Sequence, residues 1–489
     1  MKRVIPALAA FVLAAVAIRG FPGLPGSADA GDLDFGPSVL VLGSVAGQVQ
    51  VRPDWVPQVV ASKSDTWIAV WHSDDSLADT VGDDNDIFLT RSRDKGHTWS
   101  HPRALNTNAG DDSGDDRLPS IATDGKGDWI VVWQSTDTLE GTIRRDLDIL
   151  YARSVDDGVT WSSPQPLTAD AAGDWGGDTQ PQIATDSDGN WLVVWTSTDG
   201  LGNTLGGDSD ILISRSTDEG TSWSPARALT PAQARVDSGY DRYPRIVHGR
   251  GQTWLVEWTS NDTLSGRIGR DADILYSRSE DGGRTWRSPA ELNLNAEDDR
   301  FGDQKAQVAT DGRGHWVAVW ESQDPLGGTI GEDTDVLVAR SSDDGAQWSR
   351  PRPLTRQAAA DARDDLSPHV ATDGAGSWVV VWDSANPLAK PNLGVNGLDY
   401  DMYQNGAGSD ADVFVSRSED AGATWSQPVM ATPAAGHEHA EDTRPYASTD
   451  GGGNWIIVWQ STVSRGTNGA VDWGVLATVE RLAPRSSRR

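Results

Sequence analysis

The sequence predicts an all-β protein, a seven-bladed β-propeller of four-stranded antiparallel blades that is closed by an N-terminal strand. An eight-residue motif, S-x-D-x-G-x-T-W, occurs six times, at Ser92, Ser154, Ser216, Ser279, Ser341 and Ser418. Its copies lie 62, 62, 63, 62 and 77 residues apart. A pair of Trp residues separated by three positions recurs seven times with a similar period. A fixed period of this size is typical of solenoids and propellers.

Each repeat opens with the pattern D-x-x-P and continues into an apolar strand such as residues 182–186. The openings are Asp54–Pro57, Asp116–Pro119, Asp178–Pro181, Asp241–Pro244, Asp365–Pro368 and Asp442–Pro445, with Asp303–Ala306 lacking the Pro. A second strand carries the Trp pair and is apolar on both faces, as expected for a strand between two neighbouring sheets. The pairs are Trp67/Trp71, Trp129/Trp133, Trp191/Trp195, Trp254/Trp258, Trp316/Trp320, Trp378/Trp382 and Trp455/Trp459.

A polar loop then ends in D-x-D, and a third strand leads into the eight-residue motif. We interpret the motif as a tight turn: its Ser and Asp bind the turn backbone, its Gly adopts a positive φ, and its Trp anchors the next strand. A fourth strand follows, for example Trp161 to Leu167. Four antiparallel strands make one propeller blade.

Seven Trp pairs but six turn motifs indicate that the last blade lacks its outer strand. The segment 38–51 alternates like a strand, and we predict that it supplies this strand and covers an open sheet edge. The predicted propeller spans residues 31–482, and residues 483–489 form a basic tail. Its blades are predicted at about 57–105, 119–168, 181–229, 244–292, 306–355, 368–432 and 445–482.

The eight-residue motif resembles the Asp box of sialidases and related β-propellers, also called the bacterial neuraminidase (BNR) repeat. The resemblance covers nearly all of the chain after its N-terminal segment. It implies a sialidase-like propeller, and a glycoside hydrolase of the exo-sialidase type if the protein is an enzyme, acting on sialylated or related glycans. The alternative is a non-catalytic propeller that binds a glycan, a protein or Ca²⁺. Sialidase catalytic domains typically have six blades, so the predicted seven depart from that pattern.

The chain is strongly acidic, with 489 residues, a formal net charge of −31 and a pI near 4.4. Such a surface repels nucleic acid and anionic membranes. There is no Cys, which excludes disulfide and thiolate chemistry. We expect a monomer that requires no cofactor, with Ca²⁺ as a possible ligand.

The first 30 residues have the pattern of a secretory signal peptide. Lys2 and Arg3 precede an apolar run from Val4 to Ile18, and Ala28 to Ala30 fit a cleavage site. We therefore expect a secreted or periplasmic protein with no integral membrane segment in the mature chain. An uncleaved anchor is the alternative.

The candidate site residues are those that break the symmetry of the repeats on the face that carries the D-x-x-P openings. Glu257 replaces the Val of most other blades, and Tyr446 follows the opening of blade seven. The resemblance implies a Tyr446–Glu257 pair that attacks the substrate, and arginines that grip its carboxylate. The candidate ligand-binding residues are Arg117, Arg242, Arg245, His369, Arg444, and Tyr400 and Tyr403 of an insertion at 386–408. The alternative is that these are ordinary substitutions at the rim, and that the insertion has no role.

The D-x-D loops are candidate Ca²⁺ ligands, because residues i and i+2 of a strand point the same way and Ca²⁺ accepts several carboxylate oxygens. The candidates are Asp84, Asp86, Asp146, Asp148, Asp208, Asp210, Asp271, Asp273, Asp333 and Asp335. The alternative is structural pairing with the Arg that precedes each turn motif: Arg91, Arg153, Arg215, Arg278, Arg340 and Arg417.

Overall fold

The computed structural model describes residues 39–42, 54–77, 81–173, 175–202, 204–235, 239–359, 363–384, 411–432, 440–465 and 470–481. The predicted signal peptide, the insertion at 386–408 and the basic tail lie outside these residues. No helix within the described ranges is long and apolar enough to cross a membrane.

The chain forms seven antiparallel sheets of four strands, so the prediction of an all-β seven-bladed propeller is confirmed. The first strands of successive blades contact one another, and the first strand of blade seven contacts that of blade one, which closes the ring. These first strands are Asp54–Ala61 (β2), Asp116–Thr123 (β6), Asp178–Thr185 (β10), Asp241–His248 (β14), Asp303–Thr310 (β18), Asp365–Thr372 (β22) and Asp442–Thr449 (β26).

The second strands of the blades carry the Trp pairs. They are Trp67–Ser73 (β3), Trp129–Ser135 (β7), Trp191–Ser197 (β11), Trp254–Ser260 (β15), Trp316–Ser322 (β19), Trp378–Ser384 (β23) and Asn454–Arg465 (β27). All fourteen Trp side chains are at most 2% exposed. Each hydrophobic cluster joins residues of two neighbouring blades, so the core is a ring of interfaces between sheets.

The third strands are Asp86–Ser92 (β4), Asp148–Ser154 (β8), Asp210–Ser216 (β12), Asp273–Ser279 (β16), Asp335–Ser341 (β20), Asp412–Ser418 (β24) and Ala470–Arg481 (β28). The turn motif follows six of them with the predicted hydrogen bonds. In the second copy, Ser154 Oγ accepts from Gly158 N at 3.0 Å and donates to Asp156 Oδ1 at 2.8 Å. Gly158 has a φ of 77°, which explains the Gly at that position.

The fourth strands are shorter than predicted. They are Arg103–Ala104 (β5), Gln165–Pro166 (β9), Arg227–Ala228 (β13), Ala290–Glu291 (β17), Arg352–Pro353 (β21) and Val429–Met430 (β25). The predicted strand from Trp161 to Leu167 is reduced to its β9 pair. Pro164 and Pro166 explain the difference, since proline cannot donate to a strand ladder.

The seventh sheet has the order β1-β28-β27-β26, in which Val39–Leu42 (β1) pairs antiparallel with β28. The rest of the segment predicted as a strand, Ser38 and residues 43–51, lies outside the described residues. Strands β27 and β28 have 12 residues each, longer than the equivalent strands of the other blades.

Each opening contains a bulge that the sequence did not predict. The residue before the Pro, or before Ala306 in blade five, has a φ between 51° and 57° in all seven blades. These residues are Val56, Leu118, Gln180, Tyr243, Lys305, Ser367 and Arg444. The strand register shifts at this point, for example between Arg242 and Arg245. Positive φ costs a non-Gly residue about 1–3 kcal/mol, so the surrounding structure must hold it in place.

In six of the seven blades, the N–H of the bulge residue donates a hydrogen bond to a side chain of the preceding blade, which stabilises the bulge. The N–H of Lys305 donates to Thr259 Oγ1 at 3.0 Å, and that of Ser367 donates to Glu321 Oε1 at 2.8 Å. Val56, Gln180, Tyr243 and Arg444 donate in the same way to Gln460, Gln134, Gln180 and Asp383. These hydrogen bonds connect the openings of neighbouring blades at six of the seven junctions.

Candidate functional site

The openings surround a central cavity of about 440 Å³. Its mouth is lined by the seven positive-φ residues of the bulges. A second ring below them consists of residues that follow the opening motif: Gln58, Gln182, Arg245, Gln307, His369 and Tyr446. The cavity wall is thus built from one segment of every blade, and its chemistry depends on two positions per repeat.

Three cationic side chains line this cavity in a chain of net charge −31: Arg245, Lys305 and Arg444. Lys305 Nζ lies 3.0 Å from Glu321 Oε2, so its charge is partly neutralised. Arg444 is exposed, and its backbone N–H, rather than its side chain, donates to Asp383. Arg245 donates a hydrogen bond to Gln182 Oε1. The cavity therefore offers guanidinium groups to an anionic ligand.

Arg245, His369 and Tyr446 come together although they belong to blades four, six and seven. The rings of His369 and Tyr446 are in contact, with centroids 3.7 Å apart and planes tilted by 30°. His369 Nδ1 accepts from the N–H of Ala447 at 3.2 Å, and burial together with the charge of Arg245 lowers the pKa of His369 to about 3. Burial raises the pKa of Tyr446, an effect that Arg245 opposes. Both rings are neutral at physiological pH and form an aromatic wall beside a cation.

Glu257 does not line the cavity. It lies in β15 opposite Arg245 in β14, and its side chain is 0% exposed. Alternation along β15 places Glu257 on the same face as Leu255, which packs in the hydrophobic cluster between blades four and five. Neither carboxyl oxygen has a hydrogen-bond partner among the described residues, and burial raises the pKa of Glu257 to about 8 despite nearby Arg245. A buried, protonated carboxyl is poorly suited to act as a base towards Tyr446.

The other predicted ligand-binding residues are spread over the rim. Arg117 forms an ion pair with Asp115 at 3.2 Å, and the guanidinium of Arg242 lies 4.9 Å from the ring centroid of Tyr240. Both are exposed, and each lies one residue before the bulge residue of its blade, Leu118 or Tyr243, which lines the cavity. Tyr400 and Tyr403 lie outside the described residues.

Sequence reasoning missed exposed aromatic side chains next to the openings. Trp175 is 76% exposed and lies under the guanidinium of Arg144 at 4.3 Å. Tyr243 and Phe301 are 36% and 42% exposed. All three lie in, or just before, a D-x-x-P opening or its equivalent. Trp175 lies outside the repeated Trp positions, and this exception in the sequence could have identified it as an exposed aromatic side chain.

The structure brings two of the D-x-D pairs together with a third carboxylate. Oxygens of Asp84, Asp86 and Asp112 lie within 4.8 Å of one another, and a second such group consists of Asp271, Asp273 and Asp299. No such group forms around Asp146/Asp148, Asp208/Asp210 or Asp333/Asp335 among the described residues.

The arginines before the turn motifs bind elsewhere, at the opposite end of the third strand. Arg91 pairs with Asp157 at 3.0 Å and Arg153 with Asp128 at 2.7 Å. Arg278 and Arg417 pair with Glu280 and Glu480. For these four blades, the alternative in which Arg neutralises D-x-D is wrong, because the two groups lie at different ends of one strand.

Comparison with known proteins agrees with the repeat pattern. Residues 38–257 match the model of the BNR repeat-like domain. A sialidase of Bacteroides fragilis (strain YCH46) is 28% identical over 246 residues, which are 42% of this chain and 43% of that sialidase. The match thus spans less than half the length of that relative.

Two solved structures resemble the chain at low sequence identity. A Hadza microbial sialidase is 17% identical with a TM-score of 0.45, covering 71% of this chain and 66% of the other. An α-L-arabinanase of Penicillium chrysogenum, complexed with arabinobiose, is 15% identical with a TM-score of 0.45, covering 75% and 93%. The chain therefore carries a BNR repeat-like domain over residues 38–257, and in its repeats it is similar to sialidase-like β-propellers.

Proposed function

We propose that this protein binds an acidic glycan at the mouth of its central cavity. The observation that carries the proposal is the convergence of Arg245 and Arg444 with Tyr446 in one cavity of about 440 Å³. A guanidinium presents paired donors to a carboxylate, which an acidic sugar supplies. The strongly acidic surface elsewhere makes a cationic cavity a selective feature rather than a general property of the protein.

The remaining cavity groups are suited to a sugar. The side-chain amides of Gln58, Gln182 and Gln307 can donate to and accept from hydroxyl groups. Exposed Trp175, Tyr243 and Phe301 offer apolar faces near the openings. A site with a few polar groups in a concave wall is typical of small-ligand sites.

A sialidase-like hydrolase is the second candidate. The observation that favours it is that Arg245 lies between the two residues of the implied catalytic pair: it is opposite Glu257 in the strand ladder and lines the same cavity as Tyr446. The complete burial of Glu257 and the absence of a hydrogen bond from its carboxyl to Tyr446, among the described residues, favour binding without hydrolysis. Hydrolysis would require Glu257 to be ionised and to move towards the cavity.

The test uses the mature chain and two probes, a fluorogenic sialoside for hydrolysis and free sialic acid for binding. We expect binding by calorimetry and no release of the fluorophore. Arg245→Gln and Arg444→Gln should each weaken binding at least tenfold, whereas Arg117→Gln, an exposed Arg outside the cavity, should leave it unchanged. Release that depends on Tyr446 would favour the hydrolase. If free sialic acid does not bind, the proposal of an acidic-glycan site is wrong.

The proposed function includes export and closure of the ring by the N-terminal segment. Export rests on the signal-peptide pattern in residues 1–30 and gives a glycan-binding protein access to extracellular ligands. N-terminal sequencing of protein from the medium or periplasm tests it, with cleavage expected after Ala30. Removal of residues 38–51 should leave β28 with an open edge and cause aggregation. An unchanged monomer after this deletion would refute closure.

A further inference from the structure

We propose that the protein binds two Ca²⁺ ions in two matched clusters, one where blade one meets blade two and one where blade four meets blade five. The first cluster consists of Asp84, Asp86, Asn108 and Asp112. The second cluster consists of Asp271, Asp273, Asn295 and Asp299.

Each cluster holds buried oxygens that have no partner among the described residues. In the first cluster these are Asp84 Oδ2, Asp86 Oδ2, Asn108 Oδ1 and Asp112 Oδ1. The second cluster presents the same four atoms, Asp271 Oδ2, Asp273 Oδ2, Asn295 Oδ1 and Asp299 Oδ1. The side chains of Asp86 and Asp273 are 0% exposed. A buried polar oxygen without a partner is costly, and here four of them recur in each cluster.

Neighbouring amides fix the direction of these oxygens. Asn106 Nδ2 donates to Asp86 Oδ1 at 2.7 Å, which leaves Asp86 Oδ2 free to face the cluster. Asn108 Nδ2 donates to Asp112 Oδ2 at 2.6 Å and to Asp137 Oδ2 at 2.7 Å, so the carbonyl oxygen of Asn108 points away from both. Asn293 and Asn295 make the equivalent bonds in the second cluster. The ligand atoms are thus oriented before any ion binds.

The charge in the clusters calls for a cation. The charged groups that act on Asp112 are Asp86, Asp137 and Asp84, and those that act on Asp299 are also all Asp. A divalent cation at each cluster would neutralise this concentration of negative charge.

A sequence motif marks both clusters. Residues 105–112 read LNTNAGDD and residues 292–299 read LNLNAEDD, which share the pattern L-N-x-N-A-x-D-D. At the first Asn position of this pattern the other blade junctions carry Thr: Thr168, Thr230, Thr355 and Thr432. The side-chain amide that donates to the second carboxylate of D-x-D, from Asn106 or Asn293, is therefore specific to blades one and four. It distinguishes these loops from the remaining D-x-D pairs.

The ligand chemistry selects a hard divalent ion. Each cluster offers four carboxylate or amide oxygens. Ca²⁺ takes six to eight oxygen ligands in adaptable geometry, so water would supply the remaining ligands of each ion. In each cluster, the D-x-D loop belongs to one blade and the second Asn and last Asp to the linker that enters the next blade. The ion would join consecutive blades on the face that carries the cavity.

The experiment measures Ca²⁺ bound to the mature full chain after equilibrium dialysis, by elemental analysis. We expect two ions per chain, one in Asp112→Asn, one in Asp299→Asn and none in the double variant. Asp111→Asn and Asp298→Asn are matched controls, since each removes an exposed neighbouring carboxylate, and both should keep two ions. Wild-type protein should melt at a higher temperature in Ca²⁺ than in EDTA, and the double variant should not respond.

Two results would overturn the proposal: no bound Ca²⁺ at millimolar concentration, or a stoichiometry that Asp112→Asn and Asp299→Asn leave unchanged. If either variant fails to fold, Asp84→Asn and Asp271→Asn provide the same test at half-buried positions.

Discussion

Replacement of Glu257 by Gln should make the protein more stable at pH 8 but not at pH 4.5. Burial raises the pKa of Glu257 from 4.5 to about 8. Between these values the unfolded chain has released the proton while the folded protein retains it, so wild-type stability falls as pH rises. Each unit of difference between the folded and unfolded pKa changes the free energy of unfolding by about 1.4 kcal/mol. Over the whole range the loss is at most about 5 kcal/mol. Gln has nearly the same shape and cannot titrate.

The assay is urea unfolding of wild type and Glu257→Gln at pH 4.5, 6.5 and 8. We expect the stability difference in favour of the variant to be small at pH 4.5 and to grow to several kcal/mol at pH 8. Glu297→Gln, at an exposed position, controls for the loss of one negative charge from an acidic protein. A difference that stays constant across this range would mean that Arg245 keeps Glu257 ionised, and would refute the reasoning.

Three further predictions concern the turn motif and the cavity. Ser154→Ala leaves the buried Gly158 N–H without its acceptor and should cost about 1–3 kcal/mol in the free energy of unfolding, whereas exposed Ser163→Ala should cost little. Gly220→Ala should lower the free energy of unfolding more than Gly125→Ala does. Both glycines have a positive φ, but only at Gly220 would a Cβ lie 2.1 Å from Ile130 Cδ1, so equal losses of stability would contradict this. Since the pKa of His369 is lowered to about 3, wild type should lose stability as pH falls from 6.5 towards 3, and His369→Gln should lose less in acid unfolding curves.

The blade architecture was predictable because it repeats. The Trp pairs, the turn motif and the openings each recur at one spacing, and a period is visible in the sequence without knowledge of any contact. The positive φ before the Pro was not predictable. Residues as different as Val56, Lys305 and Arg444 occupy that position, so their conformation follows from the bulge and from the preceding blade rather than from their chemistry.

The candidate site was predicted in part. Arg245, His369 and Tyr446 are predicted site residues, and all three line the central cavity. The carboxylate of Glu257 in place of Val suggests a residue of the same site. However, the second strand is apolar on both faces, so its sequence pattern does not reveal which face Glu257 occupies. The third carboxylate of each acidic cluster was missed because it comes from a linker, about 26 residues after the D-x-D pair. The repeated L-N-x-N-A-x-D-D pattern could have identified it.

The hydrogen bonds between successive openings have a consequence for the cooperativity of unfolding. In an open solenoid a terminal repeat can fray while its neighbours stay folded. In this ring six of the seven bulges donate their strained N–H to an acceptor in the preceding blade, as Lys305 does to Thr259. Loss of one blade would leave the next with an unsatisfied amide and a bulge that nothing holds. Unfolding should therefore be a single cooperative transition, and amide exchange at all the openings should report the same free energy.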